Sequence, residues 1–378
     1  MSLSVALTAG AGARERESGL WLCSRRWDLV FISGSALLVV LPFVAYEVFN
    51  VLLGMGPVRA AAGVAPGDVL DVSRNAVNAL IAVGIGGPHM YATYSRTFFD
   101  RDFRRKRPLF LLGSLIIPAG VIALGLFNFQ LLATFFFFWA SVHIMHQMAY
   151  ILDCYNGKVP RPTTWRDRLI DYVVVFSSLY PIAVWKMVHG GFRIGQIEIL
   201  FPAWLTLDVN PSAARALVAL VGGTFAVSLA LWLRKTYAEH LRGELHGPKI
   251  LLMALTIGIS FVIPSYRELD VAFQGFNTWH SFQYLGLTIW INRLRARKGE
   301  IGTPWIAAVS GEGRGWAFYG VQVLISLGAV AGIAALLANR AALGLSFDQC
   351  YYMVVLSFLL MHYLHDHLLF TRTDALTA

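Results

Sequence analysis

"SFLLMHYLHDHLLFTR", residues 357–372, reads in two ways at once. Its Leu, Met, Phe and Tyr suit a helix in lipid, yet His362, His365, Asp366 and His367 stand among them. The rest of the chain decides which reading governs the fold. Of 378 residues, 57% are hydrophobic and only 14% charged, against about 25% charged in a typical soluble domain. The charges are also bunched, leaving apolar stretches close to the roughly 20 residues that a membrane span needs. The chain therefore reads as all-α, a polytopic transmembrane helical bundle, with residues 357–372 closing its last span. The three cysteines, Cys23, Cys154 and Cys350, form no CxxC pair, so neither a disulfide framework nor a thiolate zinc site is indicated. The net charge of +9 does not signal nucleic acid, because membrane proteins concentrate Lys and Arg in cytoplasmic loops.

Ten spans are expected, at roughly 28–52, 76–96, 108–127, 130–153, 169–189, 212–233, 249–265, 270–292, 316–338 and 350–370, from apolar length. Basic residues follow every even-numbered span: "RDFRRKRP" (101–108) after the second, Lys158 to Arg168 after the fourth, Arg234 and Lys235 after the sixth, "RLRARK" (293–298) after the eighth and Arg372 after the tenth. That alternation places both termini in the cytoplasm and the chain in a bacterial inner membrane. Residues 1–24 read as a disordered cytoplasmic start, 25–372 as one transmembrane domain and 373–378 as a short tail. The connection "GFRIGQIEILFPAWLTLDVN" (191–210) is expected along the outer interface. No soluble partner is evident.

Seven of the ten histidines fall inside spans: His89 in the second, His143 and His146 in the fourth, His280 in the eighth, and His362, His365 and His367 in the tenth. All four spans run the same way, so depths can be compared. His89 and His365 each lie seven residues before an arginine, Arg96 and Arg372, while His280 and His146 lie thirteen and twelve before Arg293 and Lys158. At about 1.5 Å per residue, all sit roughly 10–20 Å from the basic markers, in the cytoplasmic half of the bilayer. Ionisable residues at such depth face the bundle interior and mark functional sites. In "HIMHQMAYILD", His143, His146, Tyr150 and Asp153 share one helix face, as do His362, His365 and Asp366 in "HYLHDH". Pro88, in "GIGGPHMY", withholds a backbone donor and is expected to kink the helix beside His89.

A lone histidine in a span is often a hydrogen-bonding residue between helices. Seven at one depth point instead to a metal or cofactor, with Asp366 and Asp153 as possible ligands. Asp153 also suits an ion pair with loop arginines. A ligating imidazole needs its second nitrogen held, and Gln147, Gln283 and Asp366 are candidates for that. Tyr150 and Tyr284 lie one turn from candidate ligands. Imidazole-rich sites suit iron, zinc or copper(II).

Clusters such as HxxH on spans resemble the integral-membrane desaturases and hydroxylases, which use histidine-rich diiron sites. The chain departs from them: it lacks HxxHH, and its histidines lie within spans. "GGPHMYATY" with the late histidine-rich span looks more like the Brp/Blh carotene dioxygenases, polytopic proteins with a histidine-bound iron. That resemblance implies one or two non-haem irons, an isoprenoid or acyl-chain substrate from the membrane and, for some reactions, an electron donor. It also implies ligands from His89, His143 or His146, His280, and His362 or His365. Three other readings remain open: a haem protein for electron transfer, a proton or metal transporter with an intramembrane histidine relay, and a zinc enzyme.

Overall fold

A computed structural model describes residues 19–159, 162–194, 197–371 and Leu376. Among the described residues, the chain is helical apart from one short hairpin. Ten long helices carry the fold: α1 (Arg25–Gly54), α2 (Pro66–Tyr94), α3 (Pro108–Phe127), α4 (Phe129–Asn156), α5 (Trp165–Val188), α6 (Pro211–Leu241), α7 (Gly247–Ser265), α8 (Leu269–Arg297), α9 (Gly315–Ala338) and α10 (Phe347–Leu369). Eight of them, all except α8 and α10, are long and apolar enough to cross a membrane, so the chain is a membrane protein by this measure. The expectations for residues 1–18 and most of the tail lie outside the described residues.

The two exceptions explain themselves by position. At 29 and 23 residues, α8 and α10 are long enough to cross, at about 1.5 Å per residue. Their polar residues lower their hydropathy, and those residues are turned inward. Asp270, Thr278, His280, Ser281, Gln283 and Asn292 of α8 are buried, as are His362, His365 and Asp366 of α10. Helix α8 is the axis of the bundle, touching α1, α2, α4 and α9. By contrast only 11% of the most apolar stretch of α6, and of α9, is buried. Those two present residues such as Leu220 and Leu324 outward, as a lipid-facing helix does.

Small residues allow close crossings. A Cβ on Gly286 of α8 would lie 2.5 Å from Phe31 Cβ, so α1 rests directly on the α8 backbone there. Asp28, at the start of α1, accepts hydrogen bonds from the backbone N–H of Leu22 (2.7 Å) and Cys23 (3.0 Å) and from the Tyr155 hydroxyl (2.9 Å), which orders residues 22–24 against α4. At the basic end of the bundle, buried Asp171 of α5 pairs with Lys235 of α6 and with Lys249 of α7 (2.9 Å). Lys249 also donates to Asn156 of α4 (3.0 Å). A buried carboxylate needs such partners, and here they tie four helices together. The connection between α5 and α6 contains a hairpin, β1 (Arg193–Ile194) and β2 (Ile197–Glu198). It packs on α4, where Gln130 donates to the Glu198 carbonyl (3.0 Å) and Thr134 accepts from Leu200 N–H (2.9 Å).

Caps mark the helix starts. Ser346 and Gln349 form a reciprocal capping box on α10. His246 caps α7 by accepting from Lys249 N–H (3.2 Å), which requires a neutral imidazole. Burial, and then the Lys249 charge, push its pKa down from 6.5 to about 4. The unfolded chain therefore binds the extra proton first, and this stabilisation, present above pH 6.5, is lost as the pH falls toward 4. His246→Asn keeps an acceptor without titrating. The melting temperature of the variant in detergent should fall less than that of the native protein between pH 6.5 and pH 4.

Candidate metal centre

Four helices each deliver one imidazole to a common point: His89 from α2, His143 from α4, His280 from α8 and His362 from α10. One ring nitrogen of each lies within 4.8 Å of the others. All four side chains are buried, and such a group could hold a metal ion. The rings meet edge to face, with centroids 4.6 Å apart for His89 and His362, 4.9 Å for His143 and His280, 5.0 Å for His89 and His280, and 5.1 Å for His143 and His362.

The α2 backbone explains how His89 reaches the point. Pro88 cannot donate to the Gly84 carbonyl four residues earlier. The preceding turn, Ala82–Gly86, is a π-helix, a common local distortion at functional sites. The Tyr319 hydroxyl of α9 donates to the Gly84 carbonyl that Pro88 leaves free. Gly86 and Gly87 let α2 press against its neighbours: a Cβ on Gly86 would lie 2.9 Å from Asn277 Nδ2, and one on Gly87 2.5 Å from Ser326 Oγ. The kink expected at Pro88 is thus a π turn that re-aims the next residue.

Hydrogen bonds then set the ring nitrogens. His89 Nδ1 lies 2.7 Å from the Gly86 carbonyl and 2.8 Å from Ser281 Oγ. A carbonyl only accepts, so Nδ1 carries the proton and Nε2 offers a lone pair to the centre. Thr93, one turn along α2, donates to Asp366 Oδ1 (2.9 Å), and the Tyr284 hydroxyl donates to the same oxygen (2.7 Å). With its proton so used, Thr93 Oγ1 accepts from His362 Nδ1 (2.6 Å). His362 Nε2 then also carries a lone pair, 2.9 Å from His89 Nε2. Two lone pairs at that distance repel unless a metal ion or a shared proton lies between them. Nitrogens bound at right angles to one metal at about 2.1 Å would be about 3.0 Å apart, and opposed ones about 4.2 Å. The 2.9 Å pair fits the first case, and the 4.8 Å outer limit needs about 0.6 Å of closing against the second.

The remaining groups point the same way. His143 Nε2, both nitrogens of His280 and Asp366 Oδ2 are buried without hydrogen-bond partners. Buried polar atoms are rarely left so unless an ion or water serves them. Asp366 Oδ2 lies 3.4 Å from His362 Nε2 and 3.9 Å from His143 Nε2, so the carboxylate turns its free oxygen toward the cluster. The His143 ring is itself held by stacking on Tyr363, with centroids 3.9 Å apart. No protein-family model, no curated protein and no solved structure matches this chain. The centre is therefore read from its own geometry.

The other residues singled out from the sequence sit as follows. His365 is turned away from the four, toward Thr97 Oγ1 (2.9 Å) and the rings of Phe98 and Phe110. His146 and His367 pair with each other at 5.1 Å between centroids, His146 partly buried and His367 exposed. Asp153 forms an ion pair with Arg168 (2.7 Å), the loop-arginine pairing weighed above. Tyr150 stacks on Phe370. Gln147 donates to Gln283 Oε1 (2.9 Å) and to the His280 carbonyl (3.2 Å), and Gln283 donates to the Ile32 carbonyl (2.7 Å). These glutamines join the backbones of α1, α4 and α8 instead of holding imidazoles. The groups that hold nitrogens of the cluster's imidazoles, Thr93, Ser281 and the Gly86 carbonyl, are not among the residues that the sequence singles out. Their only signals there are Thr93 one turn past His89 and Ser281 beside His280.

Loss of a group that holds a ligand's second nitrogen typically costs 10–100-fold in metal affinity. Thr93→Val keeps the shape and removes the hydroxyl that bridges His362 and Asp366. It should weaken metal binding by about that factor, measured by competition with a chelator of known affinity.

Proposed function

We propose that the protein is a membrane-embedded, histidine-ligated non-haem iron enzyme that uses O₂ to oxidise, desaturate or cleave a lipid or isoprenoid chain. The observation that carries this is the convergence of His89, His143, His280 and His362, with the free oxygen of Asp366, inside a bundle of apolar helices. Imidazole with carboxylate suits iron, zinc or copper(II) better than Ca²⁺ or Cu(I). Among these, iron supplies redox chemistry with O₂, and an apolar chain inside a membrane offers that chemistry C–H and C=C bonds. His89, His143, His280 and His362 are the ligands in this reading. Asp366 is a fifth ligand or a charge partner, and Tyr284 and Thr93 fix its orientation. The edge-to-face packing of the rings argues against a haem between His89 and His280, His89 and His362, His143 and His280, or His143 and His362, whose centroids lie only 4.6–5.1 Å apart.

The basic loops favour a cytoplasmic face at the C-terminal ends of α2, α4, α8 and α10. The reading includes α8 and α10 as spans, giving ten, with both termini in the cytoplasm of a bacterial cell. Cleavage of one C=C by O₂ into two carbonyls consumes no other reductant. Hydroxylation or desaturation needs two further electrons, and hence an electron donor.

One observation favours a second reading: the π turn and Pro88 break α2 at membrane depth, as transporters break helices at ion sites. Iron content and O₂ uptake separate the two. Protein purified in detergent should hold iron, show no Soret band and, once reduced, consume O₂ in the presence of membrane lipid extract. Absence of iron together with histidine-dependent uptake of protons or metal into vesicles would favour the transporter.

A further inference from the structure

His89, His143, His280 and His362 are each 0–4% exposed, and a metal site so buried needs an entry path. One face of α4 leads outward from it. His143 at the centre is followed on that face by His146, Tyr150 and Asp153. His146 is half-buried, and half-buried Asp153, about 15 Å along the helix, pairs with Arg168. Helix α10 ends beside this face, at Leu369. Its exposed His367 sets its ring against His146, with centroids 5.1 Å apart and planes tilted by 37°. Among the described residues neither ring has a hydrogen bond, so the nitrogens are open to a ligand. Two adjacent imidazoles suit Fe²⁺, Co²⁺ or Zn²⁺, but two ligands hold such an ion only weakly.

Phe370 joins this pair to the centre. It follows the last residue of α10, and its N–H donates to the Asp366 carbonyl (2.8 Å). Its buried ring stacks on Tyr150, with centroids 4.8 Å apart, and lies 5.4 Å from His146. The same ring lies 6.4 Å from His143 and 6.1 Å from Tyr284, the tyrosine that holds Asp366. One aromatic side chain thus contacts both the outer pair and the groups of the centre.

We propose that His146 and His367 form a docking site for a divalent transition-metal ion, which passes to the four-histidine centre when the Phe370 ring swings aside. This rests on the reading of the centre as a metal site and not on its O₂ chemistry. Transfer exchanges two imidazole ligands for four, so it runs downhill without a redox step. The relay also gives a role to two histidines that share the depth of the centre but stay outside it.

The test is the rate of loading. Metal-stripped protein in detergent is mixed with dilute Co²⁺, and stopped-flow absorbance follows the visible Co²⁺ band that nitrogen ligation at the centre produces. With dilute metal the rate scales with the affinity of the first site. His146→Ala and His367→Ala should therefore each load roughly tenfold or more slowly, yet reach the native final absorbance. His367 is exposed, so its removal leaves the packing intact. Phe370→Leu loses the stack on Tyr150 and should load roughly two- to tenfold faster. His240→Ala, at an exposed histidine of α6, should load at the native rate. Native-rate loading in both pair variants, a lowered final absorbance in them, or no acceleration in Phe370→Leu would overturn the inference. Native protein that develops no Co²⁺ band would sink the metal centre itself. Loading through the pair in a protein that purifies without iron and consumes no O₂ would sink the proposed function and leave the relay standing.

Discussion

Single replacement of His89, His143, His280 or His362 by alanine is expected to lower bound metal at least tenfold, while alanine at His146, His365 or His367 leaves it near the native level. The difference follows from which nitrogens meet. The first four bring ring nitrogens within 4.8 Å of one another, whereas His365 is engaged by Thr97 and His146 by His367. Removing a ligand should cost at least the 10–100-fold seen when a ligand's hydrogen-bond partner is lost. Elution as a single detergent-solubilised species and helical content by circular dichroism separate metal loss from misfolding. If His365→Ala or His146→Ala empties the site as thoroughly as His143→Ala, the four-histidine centre is wrong.

The second large effect concerns Asp366 and has an unusual sign. Without a cation, Asp366 Oδ2 is a fully buried carboxylate oxygen with no partner, which is costly in a low-dielectric interior. Asp366→Asn removes that charge at constant shape. The metal-free variant should therefore melt at a higher temperature than metal-free native protein. With metal added, the order should reverse, because the variant binds it more weakly. Metal at 1,000 times its dissociation constant stabilises a folded protein by about 4 kcal/mol. The thermal shift on chelation should thus be large in the native protein and small in Asp366→Asn. Equal shifts in the two would remove Asp366 from the centre.

Much of the bundle was legible because apolar length is a strong signal. Each expected span overlaps one long helix, with ends agreeing to about five residues except that α2 begins ten residues before, and α6 ends eight residues beyond, the expected span. Hydropathy alone is weakest for α8 and α10, and these carry His280 and His362. They are polar because they face one another and α2 inside the bundle, so the same burial that builds the site hides these helices from a hydropathy measure. The shared depth of the histidines was also readable, since rise per residue is constant along a helix. Rotation about each helix axis was not. His143 and His146 share a face, and the sequence does not say which ring turns to the centre; it is His143, whose ring stacks on Tyr363. The π turn before Pro88 similarly resets the direction of His89. The hydroxyl and carbonyl partners of His89 and His362 come from α2 and α8 residues unremarkable in sequence. Hydrogen bonds between helices far apart in the chain leave no local pattern to read.

The most direct test of a four-histidine metal centre is X-ray absorption at the edge of whatever transition metal co-purifies with the native protein. The account predicts about one metal per chain and a first shell of nitrogen or oxygen at about 2.1 Å with the multiple scattering of several imidazoles. A shell containing sulfur, a macrocycle's four-nitrogen signature, or purified protein with no bound metal that takes up none on addition would contradict it.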